Sequence, residues 1–337
     1  AQVPLLYAQD YHVARGQTKF AYMYFCIVAL VSMDALPPDP SIEINVKTVL
    51  TNFKAASPRF QSHCTSVLNN TRPMWEPTKG AQFEQDVYLW RNLYAADSAL
   101  GRKGFYIESG ANDPRSGSNT WFFDHCLGWR GLCIEADIGY IDVLRRGRSC
   151  TVVNQCLAEK PGNLSYVRAG AGGHIGTTSD DATARRAVTV QCNTLETILD
   201  QYARSQRDVD LWSLDVEGHE RVVLRSTNMR RLRVRALLVE DDKINHRELD
   251  RQTTAAGYIK LAQLEADSLY VRPDTFERLP WPLFQPRNFD MFEHRFRDDR
   301  SRKAQSLLQA LERRPDAPLR KWHRKFVAEL ASPLLNS

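Results

Sequence analysis

The sequence predicts an α/β protein built on a doubly wound, mostly parallel sheet, and two observations carry this prediction. Short apolar runs typical of buried strands alternate with segments of helical periodicity along residues 81–273. One strand–helix–strand segment, residues 104–137, has a glycine after its first strand and an acidic residue at the end of its second strand. Because helices separate the strands, each crossover returns the chain to the same end of the sheet, which favours parallel pairing.

Residues 104–137 form the predicted strand, helix and strand of a nucleotide-binding unit. The apolar run at residues 105–108 predicts a strand, and Gly110 ends it where a side chain would block a ligand. Residues 121–127 have helical spacing, and residues 132–134 predict a second strand that ends at Glu135. An acid there can accept hydrogen bonds from both hydroxyls of a ribose. The alternative is an architectural unit that binds no ligand.

The turn after Gly110 discriminates among adenosine ligands. It lacks the GxGxxG pattern that typically holds a pyrophosphate, so it favours S-adenosylmethionine, which has no phosphate, over NAD. Glu108, two residues before the glycine, is expected to reach a ligand amine. An NAD-linked oxidoreductase is therefore disfavoured.

Several strings then resemble one family in family order. They are Gln85-Asp86 with Tyr88-Leu89, the ESGAN run at residues 108–112, the GWRGLCIE run at residues 128–135 and the LDVEGHE run at residues 214–220. Over about residues 82–273 the chain resembles the FkbM family of S-adenosylmethionine-dependent methyltransferases. The resemblance implies a class I methyltransferase, Rossmann-like sheet of seven strands, closed by an antiparallel hairpin at residues 258–264 and 268–271. Pro114 departs from the pattern, because many members have glycine there.

The resemblance and the strand ends together give the candidate site residues. The expected cofactor is S-adenosyl-L-methionine, bound by Glu108, Gly110, Ala111, Asn112, Asn119, Glu135 and Ala136. The strand at residues 209–214 should open into the same crevice, so Asp215 and His219 are the candidate bases that take a proton from the methyl acceptor. Glu217 and Glu220 could instead begin the next helix, where its dipole favours acids.

No metal is expected. Asp215 and residues 240–242, Glu-Asp-Asp, could hold Mg²⁺ through oxygen ligands, but hydrogen-bonded carboxylates without a metal are the preferred interpretation. The cysteines have no zinc-site spacing. Outside residues 20–33 they number six, which permits disulfides without indicating a pairing. Ordinary packing is expected for Cys133, inside a strand.

The N-terminal part of the sequence suggests that the protein enters the secretory pathway. Residues 20–33 are uncharged and apolar, follow Arg15 and Lys19, and precede a proline-rich segment, as in a signal sequence or a short anchor. A buried helix is the alternative. Two glycosylation sequons, at residues 69–71 and 163–165, agree with this route. We therefore predict the secretory pathway, with a single-pass Golgi or ER membrane association through residues 20–33; the cytoplasm is the alternative.

Composition completes the domain organisation. Residues 1–36 are predicted as a tail with the hydrophobic segment, 37–80 as a linker or stem, 81–273 as the methyltransferase domain and 274–337 as a basic helical extension. Within the domain, residues 169–183 lack periodicity and are predicted as a mobile loop that could grip substrate.

A protein of net charge +5 without a nucleic-acid-binding motif is not expected to bind nucleic acid. The predicted function is an S-adenosylmethionine-dependent O-methyltransferase acting on a hydroxyl or carboxyl of a small molecule or glycan. The alternative is a non-catalytic FkbM-fold protein, a membrane-tethered trafficking or adaptor factor of the secretory pathway.

Overall fold

A computed structural model describes residues 58–69, 80–176, 185–204 and 206–279, together with Val49 and Leu283. The apolar run at residues 20–33, much of the predicted linker and most of the predicted C-terminal extension lie outside these residues. Among the residues described, no helix has the length and apolar character needed to cross a membrane.

The described elements alternate between strands and helices, as the sequence predicts. The strands are β1 (Gly80–Ala81), β2 (Phe105–Ser109), β3 (Ser116–Gly117), β4 (Arg130–Ile134), β5 (Thr151–Val153), β6 (Cys156–Leu157), β7 (Gly162–Val167), β8 (His174–Ile175), β9 (Ala187–Asn193), β10 (Asp208–Leu214), β11 (Arg233–Glu240), β12 (Ile259–Leu264) and β13 (Asp267–Val271). The helices are α1 (Pro58–Leu68), α2 (Gln85–Leu89), α3 (Ala95–Ala99), α4 (Trp121–His125), α5 (Ile138–Gly147), α6 (Leu195–Tyr202), α7 (Glu220–Ser226), α8 (His246–Ala255) and α9 (Pro273–Phe276). A π-helical turn, Trp90–Tyr94, joins α2 to α3.

Seven strands form the main sheet in the order β12-β13-β11-β10-β2-β4-β5. Strands β11, β10, β2, β4 and β5 pair in parallel, whereas β13 runs antiparallel to both of its neighbours. The sheet is therefore mixed, mostly parallel, and closed by the predicted hairpin. The chain enters at the centre in β2, moves outward through β4 and β5, and returns on the other side as β10. Strands β2 and β10 thus flank the switch point, where open α/β sheets bind ligands.

The core lies on both faces of this sheet. Successive side chains of a strand point to opposite faces, and the consecutive residues Tyr106 and Ile107 in β2 are both fully buried. The central strands are therefore buried on both sides, as a parallel sheet requires. On one face, the buried cluster includes Ile107, Leu132, Trp212, Val234, Leu237 and Tyr270.

A second, four-stranded sheet in the order β6-β9-β7-β8 stands beside the main sheet. The apolar pattern of residues 150–158 is typical of one strand, but in the structure this run is split into β5 and β6. At the break, the Asn154 side-chain amide donates to the carbonyl oxygens of Glu135 (2.9 Å) and Ala136 (3.1 Å). The chain then leaves β4 and pairs with β9. The predicted loop at residues 169–183 contains β8, and its residues 177–183 lie outside the described part.

All six cysteines outside residues 20–33 form disulfides: Cys64–Cys126, Cys133–Cys150 and Cys156–Cys192. The expectation of ordinary packing for Cys133 was wrong, because β4 brings it beside the residue that precedes β5. Cys156 and Cys192 are register partners in β6 and β9. Two of the three bonds therefore fix the strands around residues 150–158.

Candidate active site

A cavity of about 410 Å³ opens at the carboxyl ends of β2, β4, β10 and β11, with the second sheet as one wall. Its volume is in the range of small-molecule sites. It brings together every site residue that the sequence predicted: Glu108, Gly110, Ala111, Asn112, Asn119, Glu135, Ala136, Asp215 and His219. The roles of these residues remain predictions, whereas their common location is an observation.

Gly110 ends β2 in the left-handed region, with a φ of 78°. A Cβ atom at this position would lie 1.8 Å from the carbonyl oxygen of Asp215. The neighbouring amide of Asp215 donates to the carbonyl oxygen of Ser109 across 3.1 Å. The ends of β2 and β10 therefore meet backbone to backbone, and only glycine fits at their contact.

Backbone amides of the turn after β2 donate hydrogen bonds to acceptors within the protein. The amides of Gly110 and Ala111 donate to the carbonyl oxygen of Ile134, that of Asn112 donates to Glu135, and those of Arg115 and Ser116 donate to Asp113. A pyrophosphate needs several free amides that converge on it. Because these five amides already have acceptors, the turn is poorly suited to a dinucleotide.

Glu135 follows β4 and is held by two backbone amides. Its Oε2 accepts from Asn112 N (2.8 Å) and its Oε1 from Asp137 N (2.7 Å). Burial raises the pKa of this carboxyl, although these amides oppose the shift. Each carboxylate oxygen can accept a second hydrogen bond. Glu135 is therefore oriented and still able to bind two hydroxyls of a ligand.

Glu108, which the sequence predicts to reach a ligand amine, accepts hydrogen bonds from three side chains of the protein. Its Oε2 accepts from Arg148 (2.6 Å) and Thr120 (2.9 Å), and its Oε1 accepts from Ser118 (2.8 Å). The Arg148 side chain is fully buried. Both carboxylate oxygens thus accept hydrogen bonds within the protein, and a contact of Glu108 with a ligand amine remains a prediction.

Arg148, which no sequence pattern indicates, also bonds to Asp124 (2.8 Å) and to the Tyr106 hydroxyl (3.1 Å). Burial opposes ionisation of Asp124, but the Arg148 charge and hydrogen bonds lower the pKa of this acid. The partners of Arg148 lie far apart in the chain, so no local pattern identifies it.

Asn119 is a buried residue with unused hydrogen-bonding capacity in the cavity wall. Its Nδ2 donates to Ser213 Oγ across 3.1 Å, whereas its Oδ1 has no partner among the described residues. The side chain is only 7% exposed. A buried carbonyl oxygen without a donor is costly, so a ligand donor at this point would be favourable.

Asp215, Glu217 and Glu240 place one oxygen each within 4.8 Å of one another. Carboxylates at this separation could hold a divalent cation. However, Lys243 already pairs with Glu217 and lies 3.5 Å from Glu240 Oε2. Asp241, which the sequence placed in this cluster, instead bonds to Ser268, Gln263 and His246.

The carboxylate oxygens of Asp215 and Glu240 lie within 4.8 Å of each other, so that a proton on one of the two acids is favoured. Burial and the charge of Glu240 raise the pKa of Asp215 well above its ordinary value. A protonated carboxyl cannot take a proton, so Asp215 could act as a base only after the pair loses this proton. Burial and Arg225 lower the pKa of His219, which keeps its imidazole neutral and able to accept one.

Glu220 begins α7, as the alternative interpretation stated, whereas Glu217 precedes the helix with a φ of 60°. Glu220 Oε1 accepts from the amides of Val216 (2.8 Å) and Gly218 (3.1 Å) and so holds the loop in shape. Burial is the main cause that raises the pKa of Glu220 to about 7.

The charge of the cavity is negative. Five carboxylic acids line it, and among the described lining residues there is no lysine or arginine. Arg148 pairs with Glu108, and Lys243 lies between Glu217 and Glu240, so that two cations stand against the five acids. Such a site favours a cationic ligand over a phosphate-bearing one.

A model of a known protein family matches part of the chain. The family model described as the methyltransferase FkbM domain matches residues 108–260, the segment that contains the Gly110 turn, Glu135 and Asp215. Residues 108–260 are a methyltransferase FkbM domain. Over this segment the chain is similar to FkbM-family methyltransferases. No significant match is found among curated proteins.

Solved structures similar to the chain include two methyltransferases and a third protein, WbdD. Methyltransferase FkbM from Methylobacillus flagellatus KT is 14% identical, with 67% of this chain and 58% of that one covered and a TM-score of 0.36. CurJ carbon methyltransferase is 10% identical, with coverage of 77% and 80% and a TM-score of 0.33. Monomeric WbdD is 13% identical, with coverage of 52% and 38% and a TM-score of 0.30. The chain thus spans less than two thirds of the length of two of these proteins.

Pro114 of the FkbM domain, the departure noted in the sequence, is not among the residues that line the cavity. It packs beside Gly147, where an added Cβ would lie 2.7 Å from the proline ring. Its carbonyl oxygen accepts from Arg148 across 3.5 Å. The proline is therefore accommodated beneath the turn.

Proposed function

We propose that the chain is an S-adenosylmethionine-dependent O-methyltransferase. The observation that carries this proposal is the negative cavity at the switch point, with Glu135 oriented at its rim and no lysine or arginine among the described lining residues. S-adenosylmethionine carries a net positive charge and no phosphate, which suits this cavity. The occupied amides of the turn argue against NAD.

The described residues can hold the cofactor at three points. Glu135 offers acceptors for the two ribose hydroxyls, and Gly110 leaves room for close approach to the backbone. The unpartnered Oδ1 of Asn119 is an acceptor for the ligand amine, a role that the sequence had given to Glu108. When bound, S-adenosylmethionine supplies an electrophilic methyl group on a sulfonium that leaves as a neutral thioether.

The acceptor that we propose is a hydroxyl group of a small molecule or glycan. A carboxylate acceptor would be repelled by Glu135 and by the Asp215–Glu240 pair, whereas a neutral hydroxyl is not. His219, or the Asp215–Glu240 pair once deprotonated, takes the hydroxyl proton as the oxygen attacks. Positioning of the hydroxyl against the methyl group supplies much of the rate.

Calorimetric titration tests the cofactor. The wild-type protein should bind S-adenosylhomocysteine and sinefungin but not NAD⁺, and Glu135→Ala should weaken both of the first two. Glu159→Ala, an exposed site, is the control. If the wild type binds neither nucleoside, the enzyme proposal fails and the non-catalytic FkbM-fold alternative is favoured. Transfer of a radiolabelled methyl group to neutral glycans, lost in His219→Gln or Asp215→Asn, tests the acceptor.

We also propose that the chain works in an oxidising compartment such as the secretory pathway. Three disulfides support this, since such bonds are rare in the cytosol. Asn163 of one sequon is exposed on β7. Secretion from animal cells, followed by digestion with an N-glycosidase, should give a mass loss that Asn163→Gln reduces. A secreted protein without glycan and with free thiols would contradict this location.

A further inference from the structure

The second-sheet wall of the cavity carries a hydroxyl group that makes no hydrogen bond to the residues that the structure describes. Tyr166 lies in β7, is only 6% exposed and lines the cavity. Among the described residues, no hydrogen bond is made by its hydroxyl, although the ring itself is packed into the wall. A hydroxyl that faces a cavity and makes no hydrogen bond to the described residues can bond to a ligand there.

A glycine turn holds this tyrosine in place. The amide of Gly173 donates to the carbonyl oxygen of Gly170 across 3.2 Å, which closes the turn between β7 and β8. A Cβ atom on Gly173 would lie 2.0 Å from the Tyr166 hydroxyl oxygen, whereas one on Gly172 would have no neighbour closer than 3.9 Å. Gly173 thus leaves the space that the hydroxyl occupies.

Tyr166 and Glu135, the acid that we assign to the ribose, line the same cavity. Burial raises the pKa of the Tyr166 hydroxyl, and the charges of Glu135, Asp137, Tyr140 and Glu217 raise it further, with Glu135 the strongest of these. The phenol is therefore protonated at neutral pH and is available as a hydrogen-bond donor. Because Glu135 can only accept, a sugar hydroxyl that donates to Glu135 still has a lone pair for a donor.

We propose that Tyr166 is a cofactor-binding residue, whose hydroxyl donates a hydrogen bond to the ribosyl part of the nucleoside that Glu135 holds. This rests on the proposed function and extends it to the second sheet. The nucleoside is then gripped from two walls, by an acceptor on the main sheet and by a donor on β7.

Replacement of the hydroxyl alone is the first test. Tyr166→Phe should raise the dissociation constants of S-adenosylhomocysteine and 5′-methylthioadenosine by the same factor, about 5- to 20-fold, which is the range of one hydrogen bond. Equal loss for both ligands identifies the nucleoside as the partner. Unchanged binding of both, or weaker binding of S-adenosylhomocysteine only, would overturn the proposal.

The glycine turn gives a second test with a matched control. Gly173→Ala should weaken S-adenosylhomocysteine at least as much as Tyr166→Phe does, since the added methyl displaces the hydroxyl. Gly172→Ala, one residue away and free of close contacts, should stay within about twofold of the wild type. Melting temperatures establish that both variants fold. Equal effects of the two alanines would contradict the proposed contact.

The two proposals fail in different ways. A wild-type protein that binds no S-adenosylhomocysteine contradicts the proposed function, and the role of Tyr166 falls with it. A wild type that binds the nucleoside equally well with and without the Tyr166 hydroxyl contradicts the role of Tyr166 alone.

Discussion

The carbonyl oxygen of Asp215 occupies the space into which a Cβ atom of Gly110 would project, 1.8 Å away. The turn that follows β2 and the loop that carries Asp215, a candidate base, are therefore in direct backbone contact. We expect Gly110→Ala to separate them and to weaken S-adenosylhomocysteine about 100-fold, or about 2.7 kcal/mol, by calorimetry.

Gly257→Ala is the matched control for this variant. Gly257 also has a positive φ, 94°, but an added Cβ there meets nothing within 4 Å. Its alanine variant should lose about 1 kcal/mol of folding stability from backbone strain and keep its ligand affinity. Similar loss of affinity in both variants would show that strain, and not the contact with Asp215, is responsible.

Arg148 should be essential for stability. Arg148→Met leaves Glu108 and Asp124 buried without their cation, and we expect a loss of about 3–5 kcal/mol in the free energy of unfolding. Arg145→Met, on an exposed helix face, should change this free energy by less than about 0.5 kcal/mol. Urea unfolding measures both. A loss below about 1 kcal/mol for Arg148→Met would contradict the importance of the network.

The Asp215–Glu240 pair should make cofactor discrimination depend on pH. As pH rises through the raised pKa of Asp215, loss of its proton makes the cavity more negative, which favours cationic S-adenosylmethionine over neutral S-adenosylhomocysteine. The ratio of their affinities should rise several-fold in the wild type and stay flatter in Glu240→Gln. Asp142→Asn, a remote exposed change, should behave as wild type. A ratio independent of pH in the wild type would exclude the pair as the source.

Ionisation of Glu220 should make the free energy of unfolding decrease as pH rises. Its pKa of about 7 in the fold exceeds the ordinary value of 4.5, so between these values the folded state binds more protons than the unfolded state. Stability therefore falls with increasing pH across this window, by up to about 3 kcal/mol. Glu220→Gln remains neutral and keeps an acceptor for Val216 N, so its stability should fall less between pH 5 and 8. Glu159→Gln, on an exposed side chain, should follow the wild type.

The Cys156–Cys192 bond should stabilise the second sheet. It closes a loop with a sequence separation of 36, for which chain entropy gives about 4 kcal/mol. The double serine variant should unfold at lower urea concentration and bind S-adenosylhomocysteine more weakly, because Cys156 lines the cavity. Unchanged affinity would mean that the wall keeps its shape without the bond.

The main sheet could be predicted because its signals are local. Strands β2, β4, β10 and β11 are short apolar runs, and Thr194 caps α6 by accepting from Thr197 N, as its sequence position suggests. The glycine and acid at the strand ends then locate the cavity, since parallel strands share one carboxyl edge. All nine predicted site residues line that cavity for this reason.

The rest depends on contacts between distant parts of the chain. The apolar run at residues 150–158 cannot reveal that Asn154 will bond to the end of β4 and divert the chain. Arg148 resembles its exposed neighbours Arg145 and Arg146 in sequence, yet only the fold buries it between two acids. Glu108 shows the same limit, because its partner lies 40 positions away. Six cysteines likewise permit 15 pairings, and sequence alone does not choose among them.

Two of the disulfides border the break between β5 and β6, and this has a practical consequence for the way the protein is prepared. Protein produced in a reducing bacterial cytoplasm would lack both bonds. The wall of its cavity that contains Cys156 would then have no covalent link to β9. An inactive sample prepared in this way would not show that the native protein lacks methyltransferase activity. Expression in the periplasm, or refolding with a glutathione couple, is the appropriate starting point for any assay of methyl transfer.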